Sequence, residues 1–254
     1  MRIDLNSDLG EGFGPSAMVD DATMLSLVSS ANVACGGHAG DPETMFRTVS
    51  VAAANGVIVG AHPGYPDREG FGRRTLSMGL DEITRMVAAQ IGALQGVAAL
   101  VRVEVRYVKA HGALANLAAR DSDVAGALIG AVQQIDPTLP VLAISGTQIE
   151  RVARSVGAPV FSEIFADRGY LSTGELVPRS QPGAMIHDAR EATDRLLGFL
   201  ETGLMPVIDG DPIALTADSI CVHGDSEGAV AMTRMIRDEL TAAGVELTGF
   251  ASNS

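Results

Sequence analysis

Short apolar runs alternate with amphipathic helical stretches along most of this chain, and this alternation most restricts its fold. The apolar runs are strand-length and rich in β-branched residues, and polar, glycine-containing loops follow them. Repeated strand–helix units require a parallel sheet, either closed into a barrel or doubly wound. The predicted strands are residues 3–5, 31–35, 57–61, 103–108, 141–144, 160–165, 207–209 and 219–222.

The helix after the second predicted strand has the clearest sequence signals. Asp41 can cap it, Pro42 suits its first position and Gly56 ends it. The other predicted helices span residues 18–29, about 81–94, 121–135, 148–156, 188–201 and 227–243.

We predict a closed (β/α) barrel, because the sequence lacks the signatures of doubly wound nucleotide folds. It contains neither GxGxxG on a first βα turn nor GxxxxGK[ST]. About seven barrel strands are expected, fewer than the eight of a regular TIM barrel. At 254 residues and 46% hydrophobic content, the chain suits one barrel domain spanning residues 1–254.

Four of the five histidines occupy equivalent positions, each where a predicted strand ends. They are His38, His62, His111 and His223, whereas His187 begins a helical pattern. In a closed parallel barrel the carboxyl ends of the strands meet at one mouth, where barrel enzymes hold their active sites. The sequence therefore predicts one histidine-lined site.

Two long loops are expected to rim this mouth. The first covers residues 63–77 and begins within the segment GAHPGYPDREGFGRR, and the second follows the sixth predicted strand over residues 166–185. They carry Tyr65, Phe71, Tyr170 and Leu171, which suit either a docking surface or a lid over substrate.

Composition narrows the classes of partner. A formal net charge of −13 argues against nucleic acid and anionic membrane as partners. Cys35 and Cys221 lack CxxC spacing and fall in or beside predicted strands, so we expect buried, reduced thiols. With no apolar signal core and no membrane-length apolar run, the expected location is cytoplasmic.

Six motifs in one order carry a family resemblance. They are DLNSDLGEGFG, SANVACGGHAGDP, GAHPGYPDREGFGRR, VKAHGALAN, FADRGY and CVHGD. This set resembles the LamB/YcsF family across essentially the whole chain. The resemblance implies an irregular seven-stranded barrel similar to the glycoside hydrolase/deacetylase superfamily. It also implies a role in an ATP-dependent 5-oxoprolinase, which converts 5-oxoproline to glutamate with ATP and Mg²⁺ and uses partner subunits B and C.

Opening a lactam amide requires activation of its carbonyl oxygen or a stabilised oxyanion with a general base. Asp8, His62, Lys109 and His111 are the catalytic candidates, since histidine transfers protons near neutral pH. Lys109 is the only lysine of the chain, which suggests a required ammonium group; pairing with Asp8 is the structural alternative. We expect Asp8→Asn and Lys109→Ala to abolish turnover with little loss of thermal stability.

Two arginines are candidates for binding substrate. Arg73 and Arg74 could grip a carboxylate or phosphate, and salt bridges to Asp67 or Glu69 are the alternative. The remaining substrate-binding candidates are Asn32, His38, His223 and Asp225.

Two other functions remain open from the residues alone. Asp8 with His38, His62 or His223 has the ligand types for Zn²⁺ or Mn²⁺ in a metal-dependent deacetylase or amidohydrolase. No HxxxH or HExxH pair is present, so a tightly bound transition metal is not the favoured expectation. The mouth could instead bind a small acid without catalysis and present it to a partner. With neither common phosphate loop, ATP could bind this chain or a partner.

Overall fold

The structure is a computed structural model that describes residues 1–12, 21–223 and 228–251. Its strands, in chain order, are β1 (Arg2–Leu9), β2 (Ser30–Ala34), β3 (Ile58–His62), β4 (Val105–Val108), β5 (Val141–Ile144), β6 (Val160–Phe165), β7 (Leu204–Met205), β8 (Ile213–Ala214), β9 (Ser219–Cys221) and β10 (Glu246–Leu247). Its helices are α1 (Asp21–Leu25), α2 (Pro42–Ala54), α3 (Leu80–Ala99), α4 (Gly112–Ala118), α5 (Ser122–Ile135), α6 (Gln148–Val156), α7 (Ala189–Thr202) and α8 (Ala229–Ala242).

Within the described residues, seven parallel strands close into a barrel, as predicted. They follow the order β1-β2-β3-β4-β5-β6-β9, and β9 pairs with β1 to complete the ring. The two-residue strand β10 adds to the start of β1, and β7 and β8 form a separate antiparallel pair. Because the barrel strands are parallel, their carboxyl ends open on one side.

Residues 207–209 were predicted as a strand, and that prediction is wrong. This segment lies in the connection from β7 to β8, which begins with Pro206 and ends with Pro212. Proline has no backbone N–H to donate to a sheet, so it limits strand length on both sides.

The first strand is longer than predicted. It was predicted over residues 3–5, yet β1 continues past Asp8 to Leu9. Its polar residues are buried and hydrogen-bonded inside the barrel: Asn6 donates to Glu163 Oε1 at 2.9 Å, and Ser7 donates to the carbonyl of Val222 at 2.7 Å. The buried strand is therefore not apolar, and its length could not be predicted from hydrophobicity.

The helices mostly follow their sequence signals. The side chain of Asp41 caps α2 by accepting a 2.8 Å hydrogen bond from the backbone N–H of Thr44. The predicted stripe of α3 is buried through Ile83, Val87 and Ile91. None of the helices in the described part of the chain combines the length and apolar character needed to cross a bilayer.

Two helix predictions differ from the structure. No helix was predicted between the strand at residues 103–108 and the helix at 121–135, but α4 begins there, immediately after His111. The first helix was predicted over residues 18–29, but it ends at Leu25, four residues earlier; of its predicted start, residues 18–20 lie outside the described chain.

Candidate active site

The four strand-end histidines lie at the carboxyl end of the barrel. His62 is the last residue of β3, and His111 directly precedes α4. His38 follows β2, and His223 follows β9. His62, His111 and His223 line one cavity of about 480 Å³, and the ring of His38 stacks on His111 with ring centroids 3.6 Å apart.

Three of these imidazoles surround the carboxylate of Glu11. Its Oε1 lies 2.9 Å from His38 Nε2, 3.2 Å from His111 Nδ1 and 3.9 Å from His62 Nε2. Burial would raise the pKa of Glu11, but its contacts with His111 and His38 outweigh burial and hold that pKa far below its usual range. Burial lowers the pKa of His38 to about 3, so this ring is neutral.

The structure brings together only some of the metal-ligand candidates considered from sequence. His38 and His62 lie close to each other, but their nearest ligand-type neighbours form a set with Glu11 and His111 in place of Asp8 and His223. Ligand atoms of these four residues all lie within 4.8 Å of one another.

Lys109 joins two buried carboxylates at the base of the cavity. Its Nζ is 2.9 Å from Asp8 Oδ1 and 2.8 Å from Glu163 Oε1. Burial would lower the pKa of Lys109, yet Asp8 and other nearby acidic groups raise it well above its usual value. The alternative of a structural ion pair with Asp8 is therefore present in the structure, and Glu163 extends it.

Glu163 was not among the sequence candidates. It lies in β6 and is 1% exposed, and burial raises its pKa. The available signal was that Glu163 is the one charged residue of the predicted strand 160–165. A buried charge of this kind needs a partner, and Lys109 provides it.

Asn32 does not contact the cavity, contrary to its assignment as a substrate-binding residue. Its side-chain amide donates to Asn6 Oδ1 at 2.6 Å and to Asp8 Oδ1 at 2.8 Å, and its carbonyl accepts from the hydroxyl of Tyr107 at 2.6 Å. Asn32 therefore positions Asp8 inside the barrel.

His223 pairs with an acid that the sequence analysis missed. Its Nδ1 contacts both carboxylate oxygens of Asp167, and its ring stacks on Phe165. Burial would raise the pKa of Asp167, but His223 lowers it below its usual value. Asp167 is near the end of β6, so the strand-end rule that identified the histidines could have identified it. Asp225 lies outside the described residues.

Arginines cluster around the cavity despite the acidity of the chain. Its lining includes Arg73, Arg120, Arg168 and Arg179. Arg74 does not line the cavity. Its Nε donates to both carboxylate oxygens of Asp67 at 3.1 and 3.0 Å, which is the salt bridge considered as the alternative from sequence. The substrate-binding assignment of Arg74 is thus replaced by a structural one.

The loops at the mouth hold their tyrosines inside the protein. Tyr65 and Tyr170 are both fully buried, and the Tyr170 hydroxyl accepts a 2.8 Å hydrogen bond from the backbone of Phe165. These two tyrosines therefore do not form the exposed docking surface that the sequence suggested.

The fold and cavity define a parallel barrel protein with a polar, histidine-lined site at the carboxyl ends of its strands, the end at which barrel enzymes hold their active sites. The chain belongs to the LamB/YcsF family, whose model matches residues 3–254.

Known relatives cover almost the full chain. It is 50% identical over 249 residues to a 5-oxoprolinase A subunit (number 3) of Pseudomonas syringae pv. tomato, with 98% of this chain and 97% of the relative covered. It is 49% identical over 251 residues to a 5-oxoprolinase A subunit (number 1) of Agrobacterium fabrum, with 99% and 98% covered. The solved structure of a lactam utilization protein from Thermus thermophilus is 42% identical with a TM-score of 0.91, with 98% of this chain and 99% of that chain covered.

Proposed function

We propose that this chain is the A subunit of an ATP-dependent 5-oxoprolinase. With partner subunits B and C, ATP and Mg²⁺, it opens 5-oxo-L-proline to L-glutamate. The observation that carries the proposal is the close similarity, over nearly the whole chain, to relatives named as 5-oxoprolinase A subunits. The similarity to a lactam utilization protein supports the same substrate class.

The chemistry of the cavity suits a small acidic lactam. A volume of about 480 Å³ is in the range of small-molecule sites. Four arginines line it in a chain of net charge −13, so cationic groups are concentrated where a carboxylate would bind. Arg73, an original candidate, is among them. The same side chains suit a phosphate group if phosphorylation of the lactam takes place here.

Different polar groups of the cavity can serve different steps of ring opening. Asp167 holds Nδ1 of His223, which leaves Nε2 to exchange a proton with the attacking water or the departing ring nitrogen. On the same cavity, His62 Nε2 and His111 Nδ1 lie 3.0 Å apart and offer a second point that can accept a hydrogen bond from the attacking water.

Lys109 contributes by holding neighbouring side chains in place. Its ammonium is enclosed by Asp8, Glu163 and Cys221, at 2.9, 2.8 and 3.1 Å. We therefore assign Lys109 to holding Asp8 ionised beside His62, from which Asp8 Oδ2 is 3.4 Å distant. Its contacts are filled by protein groups, so direct contact with substrate is not part of this proposal.

The test is glutamate release from 5-oxoproline by the purified chain, first alone, then with each partner, then with both and ATP·Mg²⁺. We expect little or no activity from the chain alone and full ATP-dependent activity only with both partners. Full activity from this chain by itself would overturn its assignment to a multi-subunit enzyme. In the complete assembly, unchanged turnover of His223→Gln would favour the alternative of a non-catalytic protein that only binds substrate.

A further inference from the structure

We infer that Glu11, His62 and His111 form a binding site for one divalent transition-metal ion such as Zn²⁺, with a coordination position open to the cavity. The inference does not rest on the proposed function, because it follows from the hydrogen bonds around the two histidines.

The first observation is the direction of the ring N–H groups. His62 Nδ1 lies 2.8 Å from the backbone carbonyl of Lys109, and His111 Nε2 lies 2.8 Å from the carbonyl of Phe71. A carbonyl only accepts hydrogen bonds, so each of these nitrogens carries the proton of its ring. The opposite nitrogens, His62 Nε2 and His111 Nδ1, then bear lone pairs and face each other at 3.0 Å.

Two facing lone pairs at this distance repel unless an electron-poor centre lies between them. That centre is either an extra proton or a metal ion. The carboxylate of Glu11 favours the ion, because its Oε1 adds a third lone-pair atom 3.2 Å from His111 Nδ1 and 3.9 Å from His62 Nε2. Ligand atoms around a tetrahedral Zn²⁺ lie about 3.3 Å apart, which follows from bond lengths of about 2.0–2.1 Å.

The second observation is the orientation of the rings. A metal ion lies close to the plane of each imidazole that binds it. The rings of His62 and His111 are nearly perpendicular, at 89°, so their planes intersect. The rings of His38 and His111 are stacked and parallel to within 1°, so their planes share no point for one ion.

His38 is therefore a positioning residue and not a ligand. Its Nε2 lies 2.9 Å from Glu11 Oε1, whereas its buried Nδ1 has no hydrogen-bond partner among the described residues. The single N–H of the neutral ring is best placed on Nε2, where it donates to Glu11. Metal-binding carboxylates and histidines typically have such outer hydrogen bonds, and His62 and His111 have theirs to backbone carbonyls.

Close packing fixes the rings before any ion binds. A Cβ on Gly72 would lie 2.6 Å from Cβ of His38 and 2.9 Å from Cδ2 of His111. Glu11, His62 and His111 also line the cavity, so a fourth position could take water or a substrate oxygen. Two histidines, one glutamate and an open position form a ligand set found in catalytic zinc sites.

The experiment uses the untagged full chain after removal of metals with a chelator. Zn²⁺ binding is measured by titration calorimetry, and bound metal is counted by elemental analysis after gel filtration. Co²⁺ is then added as a spectroscopic probe, because intense visible absorption reports a tetrahedral site. We expect one ion per chain, the tetrahedral Co²⁺ spectrum and a thermal midpoint raised by Zn²⁺.

The variants test the assignment residue by residue. His62→Ala, His111→Ala and Glu11→Gln should each weaken Zn²⁺ binding about 100-fold or more, and His38→Ala about 10–100-fold. His187→Ala removes an exposed histidine and His223→Gln a histidine of the same cavity, so both controls should bind Zn²⁺ like the unaltered protein.

Folding of each variant is checked by circular dichroism. If His62→Ala fails to fold, Glu11→Gln and the Co²⁺ spectrum of the unaltered chain still decide the question. Absence of stoichiometric binding, or binding that His62→Ala and Glu11→Gln leave unchanged, would overturn the metal site. The two histidines would then share a proton. Neither result decides whether the chain requires partners and ATP.

Discussion

Nδ1 of His223 lies 2.8 and 2.9 Å from the two carboxylate oxygens of Asp167 at the edge of the cavity. Both side chains are buried, and the two residues are far apart in the sequence. The carboxylate fixes the N–H of the imidazole on Nδ1, so Nε2 is the nitrogen left for a bound molecule.

This pair gives the first prediction. In the complete assembly, His223→Gln should lower kcat by about 10²–10⁴-fold, the usual contribution of a general acid or base. Asp167→Asn should lower kcat less, with KM little changed, because its amide oxygen can still accept from Nδ1 but carries no charge. The measurement is steady-state glutamate release with His187→Gln as the control. An effect confined to KM would contradict proton transfer by His223.

The second prediction concerns Lys109, and its burial revises the expectation from sequence. Lys109 is 4% exposed and pairs with both Asp8 and Glu163, so its removal leaves two buried carboxylates without their cation. Lys109→Met should therefore lower the free energy of unfolding by about 3–5 kcal/mol, instead of leaving stability almost unchanged.

A double-mutant cycle identifies the source of this loss. Adding Glu163→Gln to Lys109→Met removes one uncompensated carboxylate and should recover part of the stability. Urea unfolding of the four proteins measures the coupling. Strictly additive effects would show that Lys109 and Glu163 do not stabilise each other.

The barrel was predictable because local signals agreed with it along the chain. The apolar run at β5, the Asp41 cap of α2 and the strand-end histidines His62 and His111 are all visible in the sequence. A parallel barrel then requires those histidines to meet at one end, without any information on long-range contacts.

The network of hydrogen bonds among buried polar side chains inside the barrel was not predictable in the same way. The hydrogen bond between Asn6 and Glu163 joins residues 157 positions apart, and only the closed register of the strands brings them together. Polar residues such as Asp4 in β1 also break the pattern by which strands are recognised. The pinning of Arg74 on Asp67 was one of two equal alternatives, and only side-chain geometry decided between them.

A third prediction tests how closely the strands must pack around this network. A Cβ on Gly60 in β3 would overlap the ring of Tyr107, whose hydroxyl holds Asn32. Gly60→Ala should lower stability by about 1–3 kcal/mol through overpacking and should also reduce turnover. Gly92 in α3 has no atom within 4 Å of an added Cβ. Gly92→Ala is thus the matched control and should be stabilising by about 0.5–1 kcal/mol. Equal effects at both glycines would contradict this account.

The last prediction is a pH dependence that originates at Asp4. Its carboxylate accepts hydrogen bonds from Ser29, Ser30 and Ser219, but burial dominates and raises its pKa from 3.8 to about 6. The nearby charge of Glu163 raises the pKa of Asp4 further. Burial and the charge of Asp4 in turn raise the pKa of the Tyr107 phenol.

The folded state holds the proton of the Asp4 carboxyl more tightly than the unfolded state does, so protonation of Asp4 stabilises the fold. This stabilisation is complete below about pH 4 and is lost as pH rises through about 6. At about 1.4 kcal/mol per pKa unit, the loss is on the order of 3 kcal/mol. Asp4→Asn cannot titrate, so its free energy of unfolding should fall less than that of the unaltered chain between about pH 4 and pH 7 in urea titrations. The same comparison in a Glu163→Gln background should give a smaller difference that does not vanish. Parallel pH profiles for the unaltered chain and Asp4→Asn would show that folding does not raise the pKa of Asp4.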